Sequence, residues 1–158
     1  MENEFHLPHR KGPSPETTAR LPHSQLSQHG PDEIIEKLHR FCFALPNVKN
    51  EASLISVPGS RALVLTEGCR CHEGAFMVGR EFAHIHPKPD NGSMHLMLEA
   101  EDAATVVEKG WGEDHYFVTQ GQFPYGLLLV FSPRNDEELE VILLIVKRSY
   151  EYACEARG

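Results

Sequence analysis

The chain has 158 residues, of which 41% are hydrophobic and 24% are charged, and its net charge at neutral pH is −8. This length fits one domain with a sizeable core, the composition is ordinary for a soluble globular protein, and the acidic excess argues against nucleic acid as a partner. No apolar run approaches the roughly 20 residues that cross a bilayer, and the N-terminus lacks the apolar stretch of a signal peptide, so we expect a cytoplasmic protein without a membrane partner.

Residues 1–30 contain four of the eleven prolines and four of the ten histidines, but few large apolar side chains. Such a segment buries too little apolar surface to offset the entropy of ordering it. We therefore predict a flexible N-terminal tail over residues 1–30 and a single folded domain over residues 31–155. Four histidines of the tail are expected to be incidental: His6, His9, His23 and His29.

The first predicted element of the domain is a helix that begins after Gly30-Pro31 and ends at Pro46. Short strands are predicted next, on either side of the turn Pro58-Gly59-Ser60. These strands cover residues 53–57 and 62–65, and further strands follow at residues 75–78 and 81–86. The loop between the second and third strands contains Cys69-Arg70-Cys71-His72. Because structural zinc sites need a second cysteine pair, which is absent, we predict reduced thiols in an exposed loop.

The second half of the chain alternates between strands and helices. A strand is predicted at residues 93–98, a helix at 100–109, a hydrophobic strand at 126–131, and a final helix that Asn135 caps and that runs to about residue 154. The order predicts an α+β fold, in which three helices pack on a mainly antiparallel sheet.

Three histidines fall within twelve positions, on both arms of a predicted hairpin. If the loop spans residues 87–92, then His86 pairs with Ser93 and His84 lies opposite His95. One face then carries a complete apolar set: Ala83, Ile85, Met94, Leu96 and Leu98. A slip of one residue would mix the two faces, so the pattern selects this register. We therefore predict that the three imidazoles are neighbours on the other face, together with Phe82 and Met97.

The chemistry of this histidine face is left open by the residues alone. Three neutral imidazoles can bind zinc or iron, can transfer protons at cellular pH, or can be amphipathic side chains on a half-exposed sheet. The His-x-His resembles the cupin signature, but Gly79 is one residue too close to it, and the second cupin motif is absent from residues 121–126. Glu81 falls on the apolar side at the start of its strand, so we interpret it as a solvated end residue outside the site.

Several motifs resemble the luciferase domain family, which includes the fungal luciferases and many bacterial proteins. The resemblance is carried by GREFAHIHP at residues 79–87, GSMHL at 92–96, GWGEDH at 110–115, SPRNDEELEV at 132–141 and SYEYA at 149–153. LPNV at residues 45–48 and SLISVPG at 53–59 also fit, so that the resemblance covers residues 32–153.

This resemblance implies a reaction type. The fungal members add molecular oxygen to an electron-rich hydroxylated pyrone, 3-hydroxyhispidin, without a metal or organic cofactor. Such chemistry needs a base for the enol proton, donors for the oxyanion and a dry pocket. On this hypothesis the catalytic candidates are His84, His86 and His95. The substrate-binding candidates are Phe82, Met97, Trp111, His115 and Arg134.

The leading hypothesis is therefore a cofactor-independent oxygenase for a small enolic or aromatic substrate, with that ligand and molecular oxygen as its partners. The fungal proteins carry an apolar N-terminal membrane segment, whereas residues 1–30 here are polar and rich in proline, so we do not expect luminescence. The alternative from another class is a non-catalytic small-molecule or metal-binding module that uses the face of His84, His86 and His95. A third hypothesis is a structural or interaction protein in which these histidines are only surface residues.

Overall fold

The computed structural model describes residues 5–66 and 72–154. Within them, six strands form one antiparallel sheet in the order β1-β2-β3-β4-β6-β5. The strands are β1 (Val48–Ala52), β2 (Arg61–Leu65), β3 (Glu81–Ile85), β4 (Met94–Met97), β5 (Gly112–Asp114) and β6 (Leu127–Val130). The helices are α1 (Asp32–Ala44), α2 (Ala100–Glu108), the short α3 (Tyr116–Thr119) and α4 (Asp136–Cys154). The predicted α+β class is confirmed, whereas Cys69 and Cys71 lie outside the described residues.

The core lies between one face of the sheet and the helices α1 and α4, which also contact each other. Helix α4 starts at the predicted cap, where Oδ1 of Asn135 accepts a 2.9 Å hydrogen bond from the backbone N–H of Glu138. Its apolar side is buried against β3 and β4, as expected for an amphipathic helix. The opposite face of the sheet is therefore free to carry polar side chains.

The hairpin of β3 and β4 has the predicted register. His84 pairs with His95, Ala83 with Leu96, and the backbone N–H of His86 donates to Ser93 at 2.9 Å. The predicted apolar set lies in the core. Alternation and a loop placed at residues 87–92 were sufficient together, because one face had to be entirely apolar.

A β-bulge changes the start of β3. Leu63 of β2 pairs with Ala83, but the next residue of β2, Val64, pairs with Glu81, so Phe82 is an extra residue in the ladder. Phe82 consequently points into the core, where its ring lies 6.3 Å from that of Tyr150. Glu81 moves to the opposite side. Strict alternation predicted the reverse for both residues, and the bulge corrects it.

Other boundaries also differ from those predicted. The first strand is β1, and the predicted strand at residues 53–57 is a loop. Residues 73–75 form a 3₁₀ turn, and Val78 makes only an isolated bridge to Glu81. Strand β5 and helix α3 were not predicted, because three or four residues are too few to show a period.

Residues 5–30 lie against the domain in this structure. Trp111 donates from Nε1 to the backbone oxygen of Pro8 at 2.7 Å, and the backbone N–H of Arg10 donates to Lys109 at 2.9 Å. The domain boundary at residue 30 stays a prediction. Among the described helices, none combines the length and the hydropathy that crossing a membrane requires.

Candidate functional site

Five imidazoles cluster on the polar face of the sheet, with His95 of β4 at the centre. The ring centroid of His95 lies 4.3 Å from that of His115, 4.4 Å from His86, 4.9 Å from His84 and 5.8 Å from His23. All five side chains are buried. The predicted contact among His84, His86 and His95 is thus confirmed, and two further histidines join them.

The cluster forms one wall of a cavity of about 640 Å³, a size common for small-molecule sites. The rest of its lining is mostly apolar and comes from the N-terminal segment, the loop after β1, and the region around α3. The main apolar residues are Leu21, Pro22, Ile55, Val57, Met77, Phe117, Phe123 and Leu127.

Hydrogen bonds assign the proton positions along a chain of three side chains. Nδ1 of His84 donates to Oε2 of Glu81 at 2.8 Å, and the same carboxylate accepts from the Ser53 hydroxyl at 2.7 Å and the Leu54 N–H at 3.1 Å. Nε2 of His84 therefore carries no proton and accepts from Nδ1 of His95 at 3.0 Å. It follows that Nε2 of His95 is an acceptor, and this buried atom has no hydrogen-bond partner among the described residues.

The charges along this chain follow from burial and hydrogen bonding. Burial, followed by the neighbouring imidazoles, lowers the pKa of His95 well below its usual value, so the ring is neutral near pH 7. Burial also lowers the pKa of His84, although the hydrogen bond that His84 donates to Glu81 opposes this. For Glu81, burial raises the pKa, but the hydrogen bonds from His84, Ser53 and Leu54 outweigh it and lower the pKa overall. The hydrogen-bonded series therefore runs from the Glu81 carboxylate to a neutral base, His95.

His86 is oriented by a second carboxylate. Its Nδ1 donates to the Ser93 hydroxyl at 2.9 Å and lies 3.2 Å from Oδ2 of Asp90, which itself accepts from Ser93 at 2.7 Å. Burial raises the pKa of Asp90, but hydrogen bonds from His86, Ser93 and the backbone of Gln25 lower it overall. Nε2 of His86 is thereby left as a second acceptor beside His95.

His115 offers a hydrogen-bond donor, whereas His86 and His95 offer acceptors. It caps α3, where its Nδ1 accepts a 2.9 Å hydrogen bond from the Phe117 N–H, so the proton of the neutral ring sits on Nε2. Burial and the neighbouring imidazoles lower the pKa of His115 to about 4. The ring is thus a neutral hydrogen-bond donor at physiological pH.

His23, which was expected to be incidental, lies in the cluster although it belongs to the N-terminal segment. Its Nε2 donates to Oε2 of Glu113 at 2.7 Å, and its Nδ1 accepts from the Tyr116 N–H at 3.2 Å. The Thr17 hydroxyl donates to the same carboxylate oxygen at 2.8 Å. The sequence offers no signal for this placement, because His23 lies in a loop, where no alternation of apolar residues indicates a face.

Four predicted substrate-binding residues are not among those that line the cavity. Phe82 and Trp111 lie in the core. Met97 is buried in β4, opposite Leu127. Arg134 forms an ion pair with Glu138 at 2.6 Å and also binds the N-terminal segment. Of the five predicted contacts, the structure brings only His115 to the cavity.

Two sets of three imidazoles are close enough to share a metal ion. They are His23, His95 and His115, and His84, His86 and His95. The first set fits poorly, because Nδ1 of both His23 and His115 accepts a backbone N–H, and each ring therefore keeps its proton on Nε2. The second set fits better. His84 and His86 carry no proton on Nε2, although Nε2 of His84 already accepts from His95. Both rings are oriented by carboxylates, as metal-binding histidines commonly are.

Fold and site together define an α+β protein whose sheet carries a buried imidazole cluster at the wall of a cavity. Residues 79–149 match the family described as Luciferase domain. This match confirms that the motifs of the chain resemble those of the family.

The matching curated proteins include fungal luciferases. The chain is 30% identical to the luciferase of Armillaria gallica over 162 residues, which is 92% of this chain and 60% of that protein. The luciferase of Armillaria ostoyae is 29% identical over the same shares, and that of Neonothopanus nambi is 36% identical over 51% of this chain and 31% of that protein. The chain thus spans about 60% of the length of the Armillaria relatives. No solved structure matches it significantly.

Proposed function

We propose that this chain is a luciferase-family enzyme that binds a small enolic or aromatic molecule in the histidine cavity and adds molecular oxygen to it without a cofactor. The observation that carries the proposal is the unpartnered Nε2 of His95, at the end of the chain from Glu81 through His84. The similarity to fungal luciferases supports an oxygenase in particular. The proposed partners are the small molecule and oxygen, and the proposed location is the cytoplasm.

The first step is the removal of the enol proton. Nε2 of His95 accepts this proton, and the Nδ1 proton of His95 can then pass to His84. The positive charge thereby moves next to the Glu81 carboxylate, which stabilises it. The substrate is left as an enolate, and its oxygen accepts a hydrogen bond from Nε2 of His115.

Oxygen addition follows on the substrate itself. The electron-rich carbon of the enolate forms a bond to molecular oxygen, the enolate oxygen becomes a carbonyl, and the resulting peroxide takes up the proton held by the histidines. The balance is one enol and one oxygen molecule to one hydroperoxide of a ketone. The apolar walls exclude water, which strengthens the electrostatic interactions of the imidazoles.

Oxygen uptake with hydroxypyrones and related enols tests the proposal. The wild-type protein should consume oxygen, and His95→Gln should lose about 10²–10⁴-fold in turnover while its thermal unfolding changes little. His39→Gln is the matched control, because His39 lies on α1 and does not line the cavity. Equal uptake by His95→Gln, or no uptake with any enol, would contradict the proposal.

A second candidate function is a metal-binding module. The observation that favours it is the orientation of His84 and His86 by Glu81 and Asp90. Elemental analysis of the purified protein beside the double variant His84→Ala, His95→Ala separates the two candidates. Stoichiometric zinc or iron that is lost in the variant would favour the metal module, and metal-free protein with oxygen uptake would favour the oxygenase.

A further inference from the structure

A loop of the N-terminal segment, residues 17–25, lies over the cavity. An antiparallel bridge between Thr17 and Gln25 closes it, with a 2.9 Å hydrogen bond from the Thr18 N–H to the Ser24 oxygen. We call this segment the N-terminal loop. Its tip supplies Leu21, Pro22 and His23 to the cavity wall.

The loop is attached to the functional side chains at both ends. His23 and Thr17 bind Glu113 of β5. At the other end, the N–H of the buried Gln25 donates to Asp90 at 3.0 Å, and Asp90 is the carboxylate that orients His86. Loop and imidazole cluster therefore share their hydrogen-bond partners.

His23 also supports the donor of the site. Its Nδ1 accepts the N–H of Tyr116, the first residue of α3, and its ring packs edge-on against His115 at 5.2 Å. His115 caps the same helix. If His23 were displaced, the start of α3 would lose a hydrogen bond, and the Nε2–H of His115 would no longer be held in one direction. His23 can thus act on the substrate through His115.

The tip of the loop separates two spaces. Leu21 and Pro22 line the histidine cavity and also a second cavity of about 500 Å³, and His86 lines both. These two apolar side chains therefore limit how far a ligand beside His95 can extend. A domain without residues 1–30 would lack this wall.

We infer that the N-terminal loop is a selective part of the substrate site, in which Leu21 and Pro22 contact the apolar body of an enolic substrate and His23 is a positioning residue for His115. The inference rests on the proposed function of the same cavity. It differs from that proposal in the residues it invokes. Neither Leu21 nor His23 is part of the hydrogen-bonded series of side chains that removes the proton.

Steady-state kinetics of the full chain test the inference, with maltol, a 3-hydroxy-4-pyrone, as the probe and oxygen uptake as the readout. Leu21→Ala should raise KM roughly tenfold with little change in kcat, because it removes apolar contact area. His23→Ala should lower kcat roughly tenfold, and His23→Gln should restore part of it, because an amide can both accept from Tyr116 and donate to Glu113. His9→Gln, an exposed residue of the same segment, is the matched control and should match wild type.

If His23→Ala does not fold, Glu113→Gln is used in its place, because it weakens the same contact. Wild-type turnover in the Leu21 and His23 variants would overturn the inference while leaving the oxygenase standing. If the wild type neither binds nor oxidises maltol, the proposed function fails for this class, and imidazole ¹⁵N NMR decides the positioning role. The His115 signals should shift in His23→Ala and not in His9→Gln, and unchanged His115 signals would overturn the inference.

Discussion

Glu81 accepts a 2.8 Å hydrogen bond from Nδ1 of His84, although three positions separate the two residues in one strand. In a regular strand, residues at this spacing point to opposite faces. The extra residue at Phe82 brings both side chains to the same face. The bulge thereby fixes which nitrogen of His84 carries the proton and, through it, which nitrogen of His95 is the free acceptor.

Glu81→Gln should reduce kcat for oxygen uptake by about 10²-fold, because a neutral amide no longer stabilises positive charge on the imidazoles and can favour the wrong tautomer of His84. Kinetics at saturating enol measure this. Glu51→Gln, on the exposed strand β1, is the control. Wild-type turnover in Glu81→Gln would show that the carboxylate does not take part in the reaction.

Phe82→Ala should lower the free energy of unfolding by about 3–5 kcal/mol, because its ring is fully buried in the core. Leu54→Ala, at an exposed position, should change it by less than about 0.5 kcal/mol. Urea denaturation followed by circular dichroism measures both. If Phe82→Ala instead weakened ligand binding and left the stability intact, the substrate contact predicted from the sequence would be correct.

The sequence was informative wherever one face had to be apolar. The pairing of His84 with His95 followed from alternation together with a loop placed at residues 87–92, since a slip of one residue would bury a histidine in the core. The bulge cannot be recognised in the sequence. One extra residue at Phe82 leaves the composition of the strand unchanged and exchanges the faces of only its first two side chains. Glu81 was therefore missed as the partner of His84.

The composition of the N-terminal segment could not indicate where His23 lies. Its low apolar content predicts disorder correctly only when hydrophobic burial is the main attachment. Here polar contacts do much of the attachment, as when the Ser132 N–H donates to Oε1 of Gln25 at 2.8 Å. The partners are 107 residues apart in the chain. Such pairs cannot be deduced from spacing, so His23 could not be placed at the site.

Acidification should destabilise the protein through His115. Its pKa is about 4 in the folded state and about 6.5 in the unfolded chain, so between these values the unfolded state binds more protons. Stability from this group is therefore lost as the pH falls from about 6.5 to about 4 and changes little below. Because the buried ring lines a cavity, we expect a loss on the order of 2 kcal/mol, less than the full shift would give.

His115→Asn is the matched variant for this test, because asparagine can cap α3 without titrating. Urea unfolding at pH 7 and pH 4.5 should show a smaller acid loss in His115→Asn than in the wild type. The remaining loss comes from other groups, including the carboxylates of Glu81 and Asp90, whose lowered pKa values also cost stability as the pH falls. Identical acid losses in the two proteins would contradict a depressed pKa at His115.

Trp111 is the one tryptophan of the chain and reports on the N-terminal segment. The residue is 3% exposed, and its Nε1–H donates to the backbone oxygen of Pro8 at 2.7 Å. Deletion of residues 1–11 removes this acceptor and its cover, so the fluorescence emission of Trp111 should shift to longer wavelength and its quenching by acrylamide should increase. Lys11→Ala, which keeps the backbone in place, should leave both unchanged. An unchanged emission after the deletion would instead favour the detached, flexible tail that the composition predicts, and the N-terminal loop would then lose one of its attachments to the domain.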